Sequence, residues 1–126
     1  MSDLKRDLIK YVRDRAKSLY NKESECYICG SIEELDFHHF YSMTELLNKW
    51  LRKEGITIET AEDIMNVRDR FIDEHRKEVY EETVTLCHKH HLKLHSLYGK
   101  KPPLSTSPKQ QRWVDKRRLK EYGSFN

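Results

Sequence analysis

Thr85-Leu86-Cys87-His88-Lys89-His90-His91-Leu92-Lys93-Leu94-His95 decides how this chain is read. One cysteine and four histidines fall within nine positions, out of three cysteines and seven histidines in all 126 residues. No packing face needs that density, so the stretch reads as a metal knuckle running straight into a helix that carries imidazoles. Two upstream stretches supply partners for it. Cys26-Tyr27-Ile28-Cys29 is a C-x-x-C that sets two thiolates on one turn at a bite suited to tetrahedral zinc. Asp36-Phe37-His38-His39-Phe40 puts two adjacent histidines on a short apolar strand. Neighbours on a strand point to opposite faces, so one can face a metal while the other has a different task. Three separated clusters must then converge in space.

Composition narrows the class. At 126 residues and 37% hydrophobic content, one small domain with a modest core is expected over residues 1–126. Three cysteines cannot all pair, and two of them sit too close for an ordinary bridge, which favours zinc in a reducing cytoplasm over a disulfide framework. No apolar run reaches the length of a membrane span and no signal-peptide core opens the chain. The expectation is a soluble, intracellular protein with no membrane partner. The formal net charge of +3 is unevenly spread: Lys100 to Lys120 holds eight bases against Asp115, whereas residues 1–99 hold sixteen bases and nineteen acids. A basic C-terminal pole suggests a polyanion partner, most simply nucleic acid.

In chain order, residues 1–21 read as an N-terminal amphipathic helix from Ser2 to about Tyr20, with Leu4, Leu8, Val12, Ala16 and Leu19 recurring every three or four residues. The expectation is that this helix packs over the zinc module. Residues 26–40 hold the knuckle and the His-His strand, with Gly30 supplying the turn. Residues 42–80 form a helical insertion expected to build the core around the metal module. Its first helix runs from a capping box at Ser42-Met43-Thr44-Glu45 to Gly55, and its second from Thr60 to Tyr80. His75 lies on the apolar face of the second and reads as packing. With nine acids and four bases, Glu59 to Glu82 is not a DNA-facing surface. Residues 83–99 hold a second strand, returning beside the first, and a metal-binding helix that stops at Gly99. Residues 104–122 hold a basic helix with Ser107 as N-cap, Pro108 at N1 and Gln110 at N3. It presents Lys109, Arg112, Lys116, Arg117, Arg118 and Lys120, with Trp113 and Leu119 for packing.

Spacing divides the ligands into two sets. Cys26 and Cys29 pair with Cys87 and one nearby histidine to close a tetrahedral site. His91 and His95, four apart on one helix face, can share a second metal, which leaves His90 as the fourth zinc ligand; His88, on roughly the same face as His91 and His95, is an understudy.

The order C-x-x-C, His-His strand, then Leu-Cys-x-x-His-His-x-x-x-His on a helix resembles the HNH endonucleases, and Leu94 to Lys100 followed by Gln111-Arg112-Trp113-Val114 looks most like the small phage-type members. The resemblance implies an α+β, mostly helical fold. Its centre would be a ββα-metal (HNH) module with a structural zinc, a helical insertion between the two strands, and flanking N- and C-terminal helices. It implies that His38 joins His91 and His95 on the catalytic ion while His39 acts as general base. An unperturbed imidazole with a pKa near 6.5 suits that task. The implied activity is metal-dependent, one-metal hydrolysis of phosphodiester bonds in duplex DNA, by nicking or double-strand cleavage, leaving a 5′-phosphate and a 3′-hydroxyl.

The middle Asn of such enzymes has no counterpart, because Glu82 or Thr83 occupies its place. Two ions are expected. One is a permanent Zn2+ at Cys26, Cys29, Cys87 and His90. The other is an exchangeable divalent cation, Mg2+, Mn2+, Ni2+ or Zn2+, at His38, His91 and His95, where three imidazoles favour a transition ion over magnesium. DNA is the expected partner, with phosphate contacts from Lys109, Arg112, Lys116, Arg117 and Lys120 that position without specifying sequence. A monomer would nick, a homodimer could cut both strands, and the insertion is a candidate dimerisation element. The setting would be the cytoplasm, that of the host cell if a phage encodes the chain. The second reading, a non-catalytic zinc-containing nucleic-acid-binding protein, accounts for the Cys3His set and the basic helix but leaves His38, His39, His91 and His95 without a task.

Overall fold

The computed structural model describes residues 4–122. In order, α1 (Leu8–Ala16) is followed by β1 (Leu35–His39), α2 (Met43–Glu54), α3 (Ala61–Glu74), β2 (Thr83–Cys87), α4 (His88–Tyr98) and α5 (Ser107–Glu121). The fold is α+β and mostly helical, as expected. No helix among the described residues is long and apolar enough to cross a membrane. The chain divides into two compact units, one made of the residues up to Tyr20 together with Met43–Glu81, the other of Asn21–Ser42 and the chain from Glu82 onward.

The first unit is helical. Its core is Ile9, Val12 and Ala16 of α1, Met43, Leu47, Trp50 and Leu51 of α2, Ile64, Phe71 and Ile72 of α3, and Val79. The inserted helices therefore close a core with α1, and that core contains none of the candidate metal ligands. Helix α1 is also shorter than its apolar recurrence suggested. Leu4 and Leu19 are 36% and 63% exposed, so the face that packs is the Ile9, Val12, Ala16 stripe. Residues 4–7 precede the helix, with the Arg6 guanidinium bonded to Asp14 at 2.6 Å. The expected helical positions 1–3 lie outside the described residues.

Helix α2 stops where Gly55, at φ +65°, lets the Gly55 and Ile56 N–H groups turn back to the Arg52 and Leu51 carbonyls, satisfying two terminal acceptors. Helix α3 opens with a reciprocal capping box between Thr60 and Asp63. It ends at Glu74, six residues before the expected Tyr80, and a π-helical turn over Lys77–Glu81 follows. His75 caps it, stacked on Phe71 at 4.3 Å between ring centroids, with its Nδ1 2.8 Å from the Phe71 carbonyl. His75 is a packing residue.

The second unit holds the candidate metal ligands. Strands β1 and β2 pair antiparallel, with Leu35 opposite Cys87, Phe37 opposite Thr85, His38 opposite Val84 and His39 opposite Thr83. Its core is Cys26, Ile28, Phe40, Val84, Leu86, Cys87, Leu94 of α4 and Val114 of α5. Helix α5 starts one residue earlier than expected. A 3-10 turn, Leu104–Thr106, leads into it, so Ser107 is inside the helix and its hydroxyl donates to the Phe40 carbonyl at 2.8 Å instead of capping. Trp113 packs partly on the core, but Leu119 is 78% exposed and does not.

Candidate metal centres

The knuckle is built by backbone. Gly30, at φ +75°, returns its N–H to the Cys26 carbonyl at 2.8 Å, and the Cys26 N–H reaches the Ser31 carbonyl at 2.8 Å. A bond from the Tyr27 N–H to the Thr85 carbonyl at 2.9 Å fixes the knuckle beside β2. Because β2 runs directly into α4, Cys87 and His90 arrive beside the same turn. The ligand atoms of Cys26, Cys29, Cys87 and His90 all lie within 4.8 Å of one another. Cys29 and Cys87 sulfurs are 3.9 Å apart, and His90 Nδ1 is 3.2 Å from Cys87 Sγ and 3.8 Å from Cys26 Sγ.

A tetrahedron with zinc–sulfur and zinc–nitrogen bonds of about 2.3 and 2.0 Å has edges of roughly 3.5–3.8 Å, so the donors fit an ion of that size. The electrostatics agree. Burial pushes the Cys26 thiol up, yet the N–H groups of Cys87, Cys29 and Ile28 outweigh it and the net shift is down. Cys29 is pushed up to about 11 by burial, only partly offset by the Ser31 N–H and reinforced by the neighbouring sulfurs. One thiolate thus forms at the expense of the next, and a cation such as zinc removes the conflict. His90 turns its other nitrogen, Nε2, to the Glu121 carboxylate at 3.0 Å, the orienting contact that metal-bound histidines commonly have.

The second group comes from the opposite face of the strand pair. His38, buried on β1, meets His91 and His95 of α4. Their inner nitrogens lie close: His38 Nδ1 to His91 Nε2 is 3.3 Å and His91 Nε2 to His95 Nε2 is 3.0 Å. Each outer nitrogen faces an acceptor. His38 Nε2 is 2.8 Å from Gln110 Oε1, His91 Nδ1 is 3.0 Å from Asp36 Oδ2, and His95 Nδ1 is 2.9 Å from the Gly99 carbonyl. With their protons directed outward, the three rings point lone pairs at one another, a repulsive arrangement that a shared cation relieves.

Burial pushes His38 down to about 4, with the Gln110 contact acting upward and the charges of His91, His95 and His39 acting downward. Burial also lowers His91 against the opposing pull of Asp36. Asp36 itself is lowered, because its bonds to His88 and His91 outweigh its own burial. His38 and His91 are therefore held toward the neutral form that a metal ligand needs.

The remaining candidates are placed as follows. His39 points to the other face of β1 from His38, its ring edge-on to Phe37 at 5.2 Å. His88 bonds Asp36 Oδ2 at 3.0 Å and belongs to neither ligand group. In the place of the missing Asn, the Glu82 carbonyl accepts the Phe40 N–H at 3.2 Å and its carboxylate accepts from Gln111, while Thr83 lies opposite His39. On α5, Lys109, Arg112, Lys116 and Lys120 are exposed. Arg117 is half-buried and pairs with Glu121 at 2.8 Å, which ties it to the Cys3His group. Arg118 donates to the Tyr27 carbonyl at 2.7 Å between the Tyr27 and Tyr122 rings.

Sequence reasoning missed Asp36, Gln110 and Glu121. Asp36 carried a signal, since it stands two residues before His38 on the same strand face; the other two carried none.

A small α+β protein that gathers a Cys3His group and a three-histidine group from a knuckle, a pair of strands and one helix has the donor chemistry of a metalloprotein. A family model described as the nicking endonuclease family, the phage T5 nicking endonucleases, matches residues 1–124. The chain belongs to that family, which makes it an endonuclease, a hydrolase acting on DNA. No solved structure matches it.

Proposed function

We propose that the chain works as a single metal-dependent DNA nickase of the HNH type over residues 1–126. The observation that carries the reading is the convergence of His38 Nδ1, His91 Nε2 and His95 Nε2, with every outer nitrogen held by an acceptor, in a chain of this family. Cys26, Cys29, Cys87 and His90 would hold a permanent zinc. His38, His91 and His95 would hold an exchangeable divalent ion. When bound, that ion supplies positive charge against the scissile phosphate and the leaving 3′ oxygen.

The chain's own residues do the rest. His38, held neutral by burial, keeps its lone pair available without competing for protons. His39, next in the chain, takes the proton from the attacking water on its imidazole as the water oxygen bonds to phosphorus and the P–O3′ bond breaks; the departing 3′ oxygen takes a proton from solvent, leaving a 5′-phosphate and a 3′-hydroxyl. Lys109, Arg112, Lys116 and Lys120 hold the phosphate backbone from the exposed side of α5, with Arg117 as the half-buried member of the set. That binding should weaken steeply with salt. A single site nicks one strand; a homodimer formed through the helical unit would cut both.

The test is supercoiled plasmid incubated with the protein and magnesium, manganese, nickel or zinc in turn, beside His39→Ala, which keeps every proposed ligand. The expected result is conversion to open circles by the parent with at least one ion and its loss in the variant. A parent that binds DNA and one zinc per chain but relaxes no plasmid with any ion would instead identify a non-catalytic zinc module. Full activity in His39→Ala would remove that residue from the base role.

A further inference from the structure

Gln110 is fully buried on α5, outside the strand–strand–helix unit that carries the three histidines, and its two amide ends have different partners. Its Nε2 lies 2.9 Å from Thr106 Oγ1, and its Oε1 lies 2.8 Å from His38 Nε2. Which end is which follows from proton counting. Thr106 has one hydroxyl proton, and the Pro103 carbonyl, 2.6 Å from its oxygen, can only accept. The hydroxyl proton is therefore spent on Pro103, and Thr106 Oγ1 must accept from its other neighbour. Only the NH2 end of Gln110 can donate there, so the carbonyl end faces His38. A carbonyl oxygen needs a donor, and His38 Nε2 must carry the proton. His38 Nδ1 is then left with its lone pair, aimed at His91 Nε2.

From this chain of hydrogen bonds we infer that Gln110 is a positioning residue that fixes His38 in its Nε2–H tautomer, so that Nδ1 is presented as a ligand. The inference rests on the proposed ion at His38, His91 and His95. A free imidazole divides between two tautomers, and a ring with the proton on Nδ1 would point N–H, not a lone pair, at the ligand cluster. His91 and His95 take their orientation from Asp36 on β1 and from Gly99 at the end of their own helix. His38 alone depends on α5. The Pro103 carbonyl, the Thr106 hydroxyl and the Gln110 amide thus make the start of the basic helix part of the ion site itself.

The experiment uses the full chain with its zinc in place and compares the parent with Gln110→Met, of similar volume but without the acceptor, and Gln110→Glu, which keeps an acceptor opposite His38. Nitrogen-15 chemical shifts of the His38 ring, read without added ion, report the tautomer. Calorimetric titration with nickel reports affinity at the second site, and zinc content reports whether the Cys3His group is intact. The parent and Gln110→Glu should show the Nε2–H form. Gln110→Met should populate the Nδ1–H form and bind nickel about 10- to 100-fold more weakly at unchanged zinc content, the usual cost of losing an orienting partner. An Nδ1–H ring in the parent, or unchanged tautomer and nickel affinity in Gln110→Met, overturns the inference. If Gln110→Met loses its zinc, the tautomer in the parent and in Gln110→Glu still decides. A parent that binds no second ion sinks the functional proposal, while the tautomer measurement continues to judge Gln110.

Discussion

His38 is a buried titratable residue, and that burial sets a pH dependence. Burial lowers its folded pKa from the ordinary 6.5 to about 4. Between those values the unfolded chain takes up a proton that the folded chain refuses, so unfolding gains as pH falls. With no ion at the second site, the contribution of His38 is complete above pH 6.5, declines between pH 6.5 and 4, and has vanished below 4. Its full size is about 3 kcal/mol, from 1.36 kcal/mol per unit. Urea unfolding at pH 7, 5.5 and 4 should show that decline for the parent and a shallower one for His38→Asn, which has nothing to protonate; equal slopes would contradict the assignment. Burial that excludes protons also means that an ion at this site competes with few of them at pH 6. The sequence carried part of this. Cysteine and histidine are scarce, and their spacing encodes a bite, so the two ligand groups stood out in the sequence. Gln110 and Glu121 did not, because an amide and a carboxylate on a polar helix look like solvated residues until their partners in space are known.

At the scale of elements, what was legible was whatever local chemistry decides. The opening of α3 at Thr60, the stop at Gly55 and the stop at Gly99 each depend on a few adjacent residues, and each is where the spacing put it. The misplaced boundaries depend on tertiary contacts. Helix α3 gives way to a π-helical turn where His75 meets Trp50 of α2, 6.5 Å between ring centroids, and α5 takes in Ser107 because Phe40 offers its hydroxyl an acceptor. Helix α5 also has two roles along its length that its charge pattern did not separate. Its start reaches His38 through Gln110, and its end reaches His90 through Glu121, leaving Lys109, Arg112, Lys116 and Lys120 as the outward charges. Removing one outward charge should therefore act only through phosphate. Lys116→Ala is expected to weaken DNA binding alike on unrelated duplexes and to lower the slope of log affinity against log salt by about 1. Fluorescence anisotropy between low and moderate salt measures it. Loss confined to one sequence, or an unchanged slope, would show that Lys116 does not contact phosphate.

At the scale of the molecule, the chain builds two cores of unlike dependence. The helical core, from Ile9 to Val79, contains no metal ligand, and its packing rests on ordinary apolar burial, with Trp50 against Phe71 at 5.5 Å. The other core counts Cys26 and Cys87 among its buried members, with Ile28, Leu86 and Leu94 around them. A two-stranded sheet with one short helix seldom folds alone, and small domains of this kind commonly draw their stability from a structural ion. Without zinc the second core would crowd three sulfurs together, Cys26 and Cys87 buried and Cys29 half-buried, with the Cys29 thiol pushed up to about 11 and the Cys26 thiol lowered beside it. The consequence is selective unfolding. Removing zinc with a strong chelator should release amide protection in β1, β2, α4 and α5, while α2 and α3 keep theirs, since metal binding there is folding free energy for one core only. Hydrogen exchange read by mass spectrometry separates the outcomes. Protection lost together across all seven elements would mean that one cooperative core spans the chain, and protection retained in β1, β2 and α4 would mean that the Cys3His group holds no structural ion.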